Sequence, residues 1–562
     1  MSTNQVDAGH SSAFSAAQKK IALLIVAFAF VMDLLDSTIV NIAIPSIQSN
    51  LGASYATIQW LIAGYSLTFA LLLITGGRMG DVFGYKKIFM FGVAGFSVAS
   101  LLAGISPSPE FLVGARLLQG SMAALMVPQV MSLMQVMYNA KERAGVMGMF
   151  GMLGGLAASL GPIIGGLLIK ANIFNLDWRP IFLINLPVGI FALLAGIKYL
   201  PNNKSEHPLH IDIKGTVLIV VALSLLVFPL IEGRDLDWPV WTIVTLAAAI
   251  PALAIFGWYE IRKDKRDHSA LIVPALFRIR TFATGLLLNI IVQASMVGYF
   301  LTITLVMQVG LGYSPLKAAL TGVPTAVGMT LGFTVLAQKL LIKFGRSVIG
   351  IGAIIFTSGL AYAAWALTHW GVRMSPWEFT PGLLLLGIGL SLIMVPIFSV
   401  ALQDVDPSHA GSASGILSAI QQVGAAVGIA VIGVIFFGQL DRGAVQSFSV
   451  ATPKLHSQLT ALHVPAQAQD AIIAQAQTCY HDRITEKDAN VIPPSCQSDD
   501  TPGVASQKIS AAITDGVKQA NAQNFAVAFR WGVVYTILLL FVICGLSLLL
   551  PNKFRISEHG AA

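Results

Sequence analysis

Asp33 and Asp36 stand one helical turn apart in "IALLIVAFAFVMDLLDST", inside the first long apolar run of the chain. Arg116 stands inside a later run, in "RLLQG". Ionisable side chains within apolar spans are costly and are functional-site candidates by default. Away from the ends of such runs, these three are the clear cases. Asp33 and Asp36 lie on roughly one helix face. Two neighbouring carboxylates titrate as a coupled pair, so protons belong to the pair rather than to one residue. Such a pair can hold a proton or a cation, but not easily both, and competition of that kind is the chemistry of exchange. The plainer alternative, a buried polar cluster that only orients helices, stays open at this point.

The surrounding chain sets where these charges sit. It has 562 residues, 55% of them hydrophobic and 11% charged, with 52 glycines; mean hydropathy is +0.75. Soluble chains carry about 25% charged residues, so this composition points to a polytopic membrane protein of helices. About fourteen runs are long enough to span a bilayer. They lie near 21–44, 58–77, 87–105, 110–135, 143–169, 179–200, 212–232, 239–261, 282–308, 315–341, 347–367, 379–402, 411–438 and 525–550. Basic residues collect in alternate loops: Arg78, Lys86 and Lys87; Lys141 and Arg143; Lys204 and Lys214; "YEIRKDKRDHSALIVPALFRIRTF"; Lys343 and Arg346; Lys553 and Arg555. The intervening loops 45–57 and 106–109 have no Lys or Arg. The positive-inside rule then puts both termini in the cytoplasm.

On that topology the first run ends outside near Ile44. At 1.5 Å per residue, Asp36 lies about 12 Å below that end and Asp33 about 16 Å. The fourth run enters near Glu110 and puts Arg116 about 9 Å below the same surface. Asp36 is the expected ion partner of Arg116. Asp33, nearer the midplane and further from the guanidinium, is the expected proton holder or contact for a substrate charge.

Other function classes fit poorly. The net charge of +7 is accounted for by the cytoplasmic loops, and no compact basic patch interleaved with aromatics suggests nucleic acid. Three cysteines and ten histidines include no cluster with metal spacing. No nucleophile–base pair or phosphate loop points to an enzyme. Cys479 and Cys496 lie in the long polar segment 440–524 between the last two runs, on the oxidising side by this topology, where a disulfide is expected and two free thiols are the alternative. Within that segment the Ala/Gln-rich stretches 466–477 and 505–523 read as short helices.

Several motifs join these runs. "GGRMGDVFGYKK" (76–87) is a glycine-rich basic turn with an acid at its centre. "RLLQG" (116–120), "GGLAASLGPIIGG" (154–166) and "WRPIFLINLPVG" (178–189) follow in order. Together they resemble the signature motifs of the major facilitator superfamily. "LDSTIVNIAIP" (35–45), "LFRIRTF" (276–282) and "AGSASGILSAIQQVGAAVG" (410–428) resemble its drug:proton antiporter branch with fourteen spans. The resemblance covers nearly the whole chain outside the tails and the segment 440–524.

It implies an all-α fold of two six-helix bundles around a central cavity, with rocking of one bundle against the other. The implied division is a cytoplasmic tail 1–18, an N-terminal bundle 19–200, an inserted helix pair 201–265 and C-terminal helices 266–438. A long external loop 439–524, a last helix 525–550 and a cytoplasmic tail 551–562 complete it. It also implies a conformational lock formed by Gly77, Arg78, Gly80, Asp81, Gly84, Lys86 and Lys87. There Asp81 would face the N-terminus of the thirteenth helix, an anion on a helix dipole, in the outward-open state. Relatives commonly carry a basic residue where this chain has Tyr85. A second copy, "KFGRSVIG" (343–350), lacks the aspartate.

Gly155, Gly161, Pro162, Gly165 and Gly166 match the antiporter motif of the fifth helix, read as a bend or seal against leak. Ordinary packing of small residues is the alternative. By the resemblance Asp36 is the indispensable motif aspartate, with Asp33 outside the core motif.

The function implied is proton-coupled efflux of hydrophobic, cationic drugs or toxic compounds, powered by the proton gradient with no cofactor. The alternative is a dedicated exporter of one metabolite or natural product. Partners are a small-molecule substrate, protons and the lipid bilayer. A monomer in a bacterial cytoplasmic membrane is expected. Met adapts to varied ligands and aromatic faces attract cations, so Tyr65, Met126, Met152, Tyr299 and Met307 are cavity candidates, with Gln119 and Gln293 as polar ones.

Overall fold

The computed structural model describes residues 16–551 apart from 139, 205–210, 234–235, 268, 406–409, 486–492 and 497–503. Most of both expected tails and the residues just before the thirteenth helix lie outside the described residues, as do the side chains of Met152 and Gly155. The described residues form α1 (Ala16–Leu51), α2 (Tyr55–Phe83), α3 (Tyr85–Gly104), α4 (Pro109–Met137), α5 (Ala140–Ala171), α6 (Pro180–Leu183) and α7 (Asn185–Tyr199). The inserted pair is α8 (Ile213–Glu232) and α9 (Val240–Asp267). The second half holds α10 (Arg280–Leu305), α11 (Pro315–Thr321), α12 (Val323–Leu331), α13 (Ala337–Phe344), α14 (Ser347–Trp370), α15 (Pro376–Gln403), α16 (Ala410–Ala461), α17 (Ala466–Thr485) and α18 (Val504–Ser547). No strand occurs among the described residues.

Among the described residues, thirteen helical stretches, some of them joining two or more of these elements, are long and apolar enough to cross a membrane. The fifth predicted run is the continuous 32-residue α5. Local chemistry sets the boundaries. Ser54 accepts the Thr57 N–H at 3.1 Å and starts α2. Ser108 accepts the Phe111 N–H at 3.3 Å, with Pro109 in the first turn of α4. These are N-cap roles that satisfy orphan amides. Gly84, at φ +102°, turns the chain between α2 and α3, a backbone region that glycine enters freely. The tenth predicted run is broken rather than continuous: α11 and α12 are followed by a π-turn at Gly332–Leu336 and then α13. A second π-turn, Val306–Gly310, ends α10. Hydropathy reads composition and does not register such breaks.

In the first half α2 and α3 pack on α4, while α1 packs on α5 and α7. In the second, α15 packs on α12 and α14, and α10, α16 and α18 pack together. The halves meet through α2 on α16 and α5 on α11. At the end that carries the 440–524 segment, outer by the charge rule, several contacts bridge them. Gln308 Nε2 donates to the Ile42 carbonyl at 3.0 Å, the Tyr55 and Phe437 rings lie 4.1 Å apart, and Gly166 abuts Leu316. The ends of the halves on that side are therefore in contact.

The polar segment corrects an expectation. It is not mainly a loop. The thirteenth predicted run continues as α16, unbroken for 52 residues, through Ala461. The stretch 505–523 is no separate short helix but the start of the 44-residue α18. Apolar side chains account for this: Phe448, Leu455, Leu459, Ile473, Tyr480 and Ala512 are buried where α16, α17 and α18 pack. Asn524 Nδ2 donates to the Leu440 carbonyl at 2.9 Å. Lys454 and Asp515 pair at 2.5 Å on the surface. Burial against other helices, rather than against lipid, keeps these turns helical, and a hydropathy window reads them as loop. Cys479 and Cys496 form a disulfide that ties the end of α17 to the 494–496 turn.

Candidate functional site

The first half is built around one buried polar node. Asp36, 1% exposed, accepts from Arg116 Nη1 at 2.5 Å through Oδ2. Its other oxygen accepts from Gln119 Nε2 at 2.7 Å and from Asn185 Nδ2 at 2.8 Å. Gln119 and Asn185 both also donate to Ser100 Oγ, at 2.9 and 3.2 Å. Arg116 donates further to Gln119 Oε1 at 2.6 Å and, through Nε, to the Leu61 carbonyl at 3.1 Å. Five helices, α1, α2, α3, α4 and α7, are thus joined at a single carboxylate–guanidinium pair. Buried charges are tolerated when paired and hydrogen-bonded, and here Asp36 accepts three hydrogen bonds and Arg116 donates three.

Asp33 is placed differently. It is 4% exposed. Among the described residues its one hydrogen bond comes from the Tyr65 hydroxyl. The same Tyr65 ring lies under the Arg116 guanidinium, 4.2 Å from its centroid, a cation–π contact. Tyr65 therefore touches both parts of the site: its hydroxyl holds Asp33 and its face holds the cation that neutralises Asp36. The two acids, one turn apart, have unlike surroundings. Asp36 cannot leave its partners without unpairing Arg116, Gln119 and Asn185. Asp33 can gain or lose a proton without breaking an ion pair.

The other predicted residues fall into three groups. Tyr65 and Gln119, expected in a cavity, belong to this network. Met126 is fully buried against Gly92 in the α3–α4 seam, and Met307 is buried in the π-turn that ends α10. Tyr299 packs among Phe300, Phe356 and Phe529 with a buried hydroxyl that has no partner among the described residues. Gln293 Oε1 and both amide atoms of Asn289 are likewise buried without partners. Groups of that kind are rare in folded proteins. A pocket of 540 Å³ lies elsewhere, at the outer end between α5, α11 and α15; none of its lining residues, Lys170, Lys317 and Trp377 among them, belongs to the buried network.

In the glycine-rich turn, Arg78 donates to the carbonyls of Ser269 at 2.6 Å and of Ala270. It grips the linker between the inserted pair and the second half. Asp81 accepts from the Tyr85 hydroxyl at 3.0 Å, so the residue that departs from the family pattern is the acid's partner. Gly77 lies against Pro128 and Gly80 against Gln129. Lys86 Nζ donates to the Ile197 carbonyl at 2.7 Å, and Lys87 is exposed.

In α5, a Cβ on Gly161 would lie 2.1 Å from Thr38 Oγ1, and one on Gly165 would lie 2.7 Å from Ile39 and Ile42. A Cβ on Gly166 would lie 2.9 Å from Leu316 Cα, in the other half. Pro162 stands among them in the helix. These contacts seal α5 to α1 along the turns that follow Asp36, and to α11. Gly165→Val should wedge the seam, at a cost of about 1–3 kcal/mol for overpacking. It should also raise the substrate-independent proton leak several-fold in proteoliposomes. An unchanged leak would leave these glycines as ordinary packing.

Asn185 and Ser100 were missed by sequence reasoning. Asn185 carried a signal, being a lone amide in the apolar stretch "IFLINLPVG". Ser100 carried none, because serine is common in membrane helices.

Two packed helical halves with a charged node buried in one of them define a polytopic membrane carrier. The chain belongs to the Major Facilitator Superfamily, whose family model matches residues 26–429. It is 36% identical over 542 residues, 96% of this chain and 93% of the relative, to a probable actinorhodin transporter of Streptomyces coelicolor. It is 35% identical over 422 residues to the tetracenomycin C resistance and export protein of Streptomyces glaucescens, covering 74% of this chain and 75% of that one. It is 30% identical over 436 residues to multidrug resistance protein Stp of Mycobacterium tuberculosis, covering 77% and 79%. Among solved structures, an inward-facing bacterial homologue of the human lysosomal transporter Spinster aligns over 95% of this chain and 99% of its own. The TM-score is 0.55 at 15% identity, a likeness of fold.

Proposed function

We propose that this protein is a proton-coupled exporter of hydrophobic, cationic compounds that works by alternating access between its two halves. The proposal includes a monomer in a bacterial cytoplasmic membrane with both termini inside. The observation that carries it is Asp33: a buried carboxylate held by one phenol, beside an ion pair that needs no further partner. In the proposed cycle, with the outer ends in contact, substrate enters from the cytosol or inner leaflet. It displaces the proton of Asp33, and the Asp36–Arg116 pair holds the five helices in register. The halves then rock, and external protons displace the substrate. Each charge moved inward across 100 mV contributes about 2.3 kcal/mol. Asp81 would meet the start of α16 in the outward-open state.

A second reading, a dedicated exporter of one natural product, is favoured by a specific observation. The actinorhodin relative matches 96% of this chain, whereas the multidrug relative matches 77%. The longer match leaves room for only a small part of the outer helical segment to be unshared. Everted vesicles test the shared core of both readings: adding substrate to an established proton gradient should release protons, and no release with any substrate would exclude antiport. Resistance profiling separates them, since protection against one compound alone would favour the dedicated exporter.

A further inference from the structure

A second pair of buried acids lies at the cytoplasmic junction of the inserted helices, apart from the Asp33–Asp36 site. Asp212 caps the start of α8: its Oδ1 accepts the Gly215 N–H at 2.9 Å and the Tyr259 hydroxyl at 2.9 Å. Glu260, near the end of α9, accepts the Ile272 N–H through Oε2 at 2.9 Å. Both residues are 3% exposed. The second oxygen of each, Asp212 Oδ2 and Glu260 Oε1, is buried with no hydrogen-bond partner among the described residues.

The two oxygens border one point in space. A Cβ on Gly215 would lie 2.4 Å from Glu260 Oε1 and 2.6 Å from Asp212 Oδ2, and the next nearest atom is Asp212 Cγ. Glycine alone leaves that point open. Two carboxylates so placed in a low-dielectric site cannot both ionise cheaply, and an unpaired buried acceptor is costly. One proton resolves both problems, because the acid that carries it becomes a donor to its neighbour.

Among the described residues, the charged and titratable groups acting on the pair are Arg78 from α2 and Tyr259 and Asp267 from α9; Asp81 acts through Arg78. The linker contributes backbone groups, the Ile272 N–H to Glu260 and the Ser269 and Ala270 carbonyls to Arg78. No group of three metal-ligating side chains occurs among the described residues, and the nearby guanidinium disfavours a bound cation.

We propose that Asp212 and Glu260 hold one proton between Oδ2 and Oε1, forming a second proton site that senses the cytosol. The proton comes from solvent and returns to it. Its loss sets two like charges against each other beneath the linker that Glu260 and Arg78 hold. The hydrogen-bonded contact between Thr75 and Thr216, 2.9 Å apart, joins the same α8 to α2. Cytosolic pH thereby bears on how the inserted pair docks on the first half.

Infrared spectroscopy of the purified full-length protein at neutral pH tests this. An Asp33→Asn background removes the contribution of the transport site. A carboxylic-acid carbonyl band that shifts in deuterium oxide should remain in that background. It should be lost, to the extent of one carboxylic acid, on adding Glu260→Gln, whose amide can donate to Asp212 as the protonated acid does and so preserves the fold. Asp212→Asn keeps the helix cap and should remove or shift the same band. Absence of any such band in the Asp33→Asn background overturns the proposal without recourse to the other variants, and so does a band unchanged in both of them. A band that sodium or potassium ions abolish in the wild type would also overturn it, by showing a cation site. The outcome is independent of whether transport is proton-coupled.

Discussion

Asp33→Asn should abolish proton-driven efflux while leaving the protein folded. The amide keeps the size of the acid, and its oxygen can still accept from the Tyr65 hydroxyl. The hydrogen-bond inventory changes little, and the expected loss of stability is about 1 kcal/mol or less. The variant cannot exchange a proton. Losing a positioned proton-transfer group costs on the order of 100-fold or more, and transport driven by a pH gradient in proteoliposomes should fall on that scale. Substrate binding need not fall with it, so binding and coupled transport should separate. Tyr65→Phe supplies a graded comparison. It keeps the ring under Arg116 but removes the donor to Asp33, and the pH profile of transport should shift rather than vanish. Wild-type coupling in Asp33→Asn would remove Asp33 from the mechanism and leave the proton to be carried elsewhere.

Arg116→Leu should act on the fold before it acts on transport. It leaves the Asp36 carboxylate, 1% exposed, with two neutral amide donors and no cation. Removing one partner of a buried pair costs about 3–5 kcal/mol, a large share of the stability of most domains. The expected result is low membrane yield and a strongly lowered midpoint in thermal unfolding followed by size-exclusion chromatography. Asp36→Asn combined with Arg116→Leu should recover part of that loss, because the stranded charge is gone. The double-mutant cycle measures the coupling directly. Arg116→Lys is no conservative replacement, since an ammonium cannot donate to Asp36, Gln119 and the Leu61 carbonyl from one plane while covering Tyr65. Full stability in Arg116→Leu would show that the node is dispensable and that the five helices are held by packing alone.

Much of this site was legible in the residues themselves. Charges in apolar runs are conspicuous, and a rise of 1.5 Å per residue was enough to pair Asp36 with Arg116 rather than Asp33. The family motifs placed the glycines of α5, and the seam with α1 gives those positions a steric reason. Two things were not legible. The contacts of Gln119, Asn185 and Ser100 depend on how four helices rotate about their axes, and a one-residue turn in any of them would redirect the side chains. The outer helices were hidden for a different reason. Their apolar residues face one another and not lipid, so the mean hydropathy of α17 and of the outer parts of α16 and α18 resembles that of a loop.

α16 has a mechanical consequence. Its 52 residues amount to about 78 Å of helix at 1.5 Å per residue, against a hydrocarbon core of about 30 Å. About 48 Å of the helix therefore lies outside a core of that thickness, more than the length within it, and its far end is braced by α17 and α18. A rotation of the second half about a pivot near the midplane displaces the outer tip further than any residue inside the membrane. On the topology and mechanism proposed above, alternating access thus becomes visible from outside the cell. A pair of spin labels or fluorophores, one near Ala461 and one on the outer end of the first half, should report each turnover as a change in distance with no label placed in the transport path.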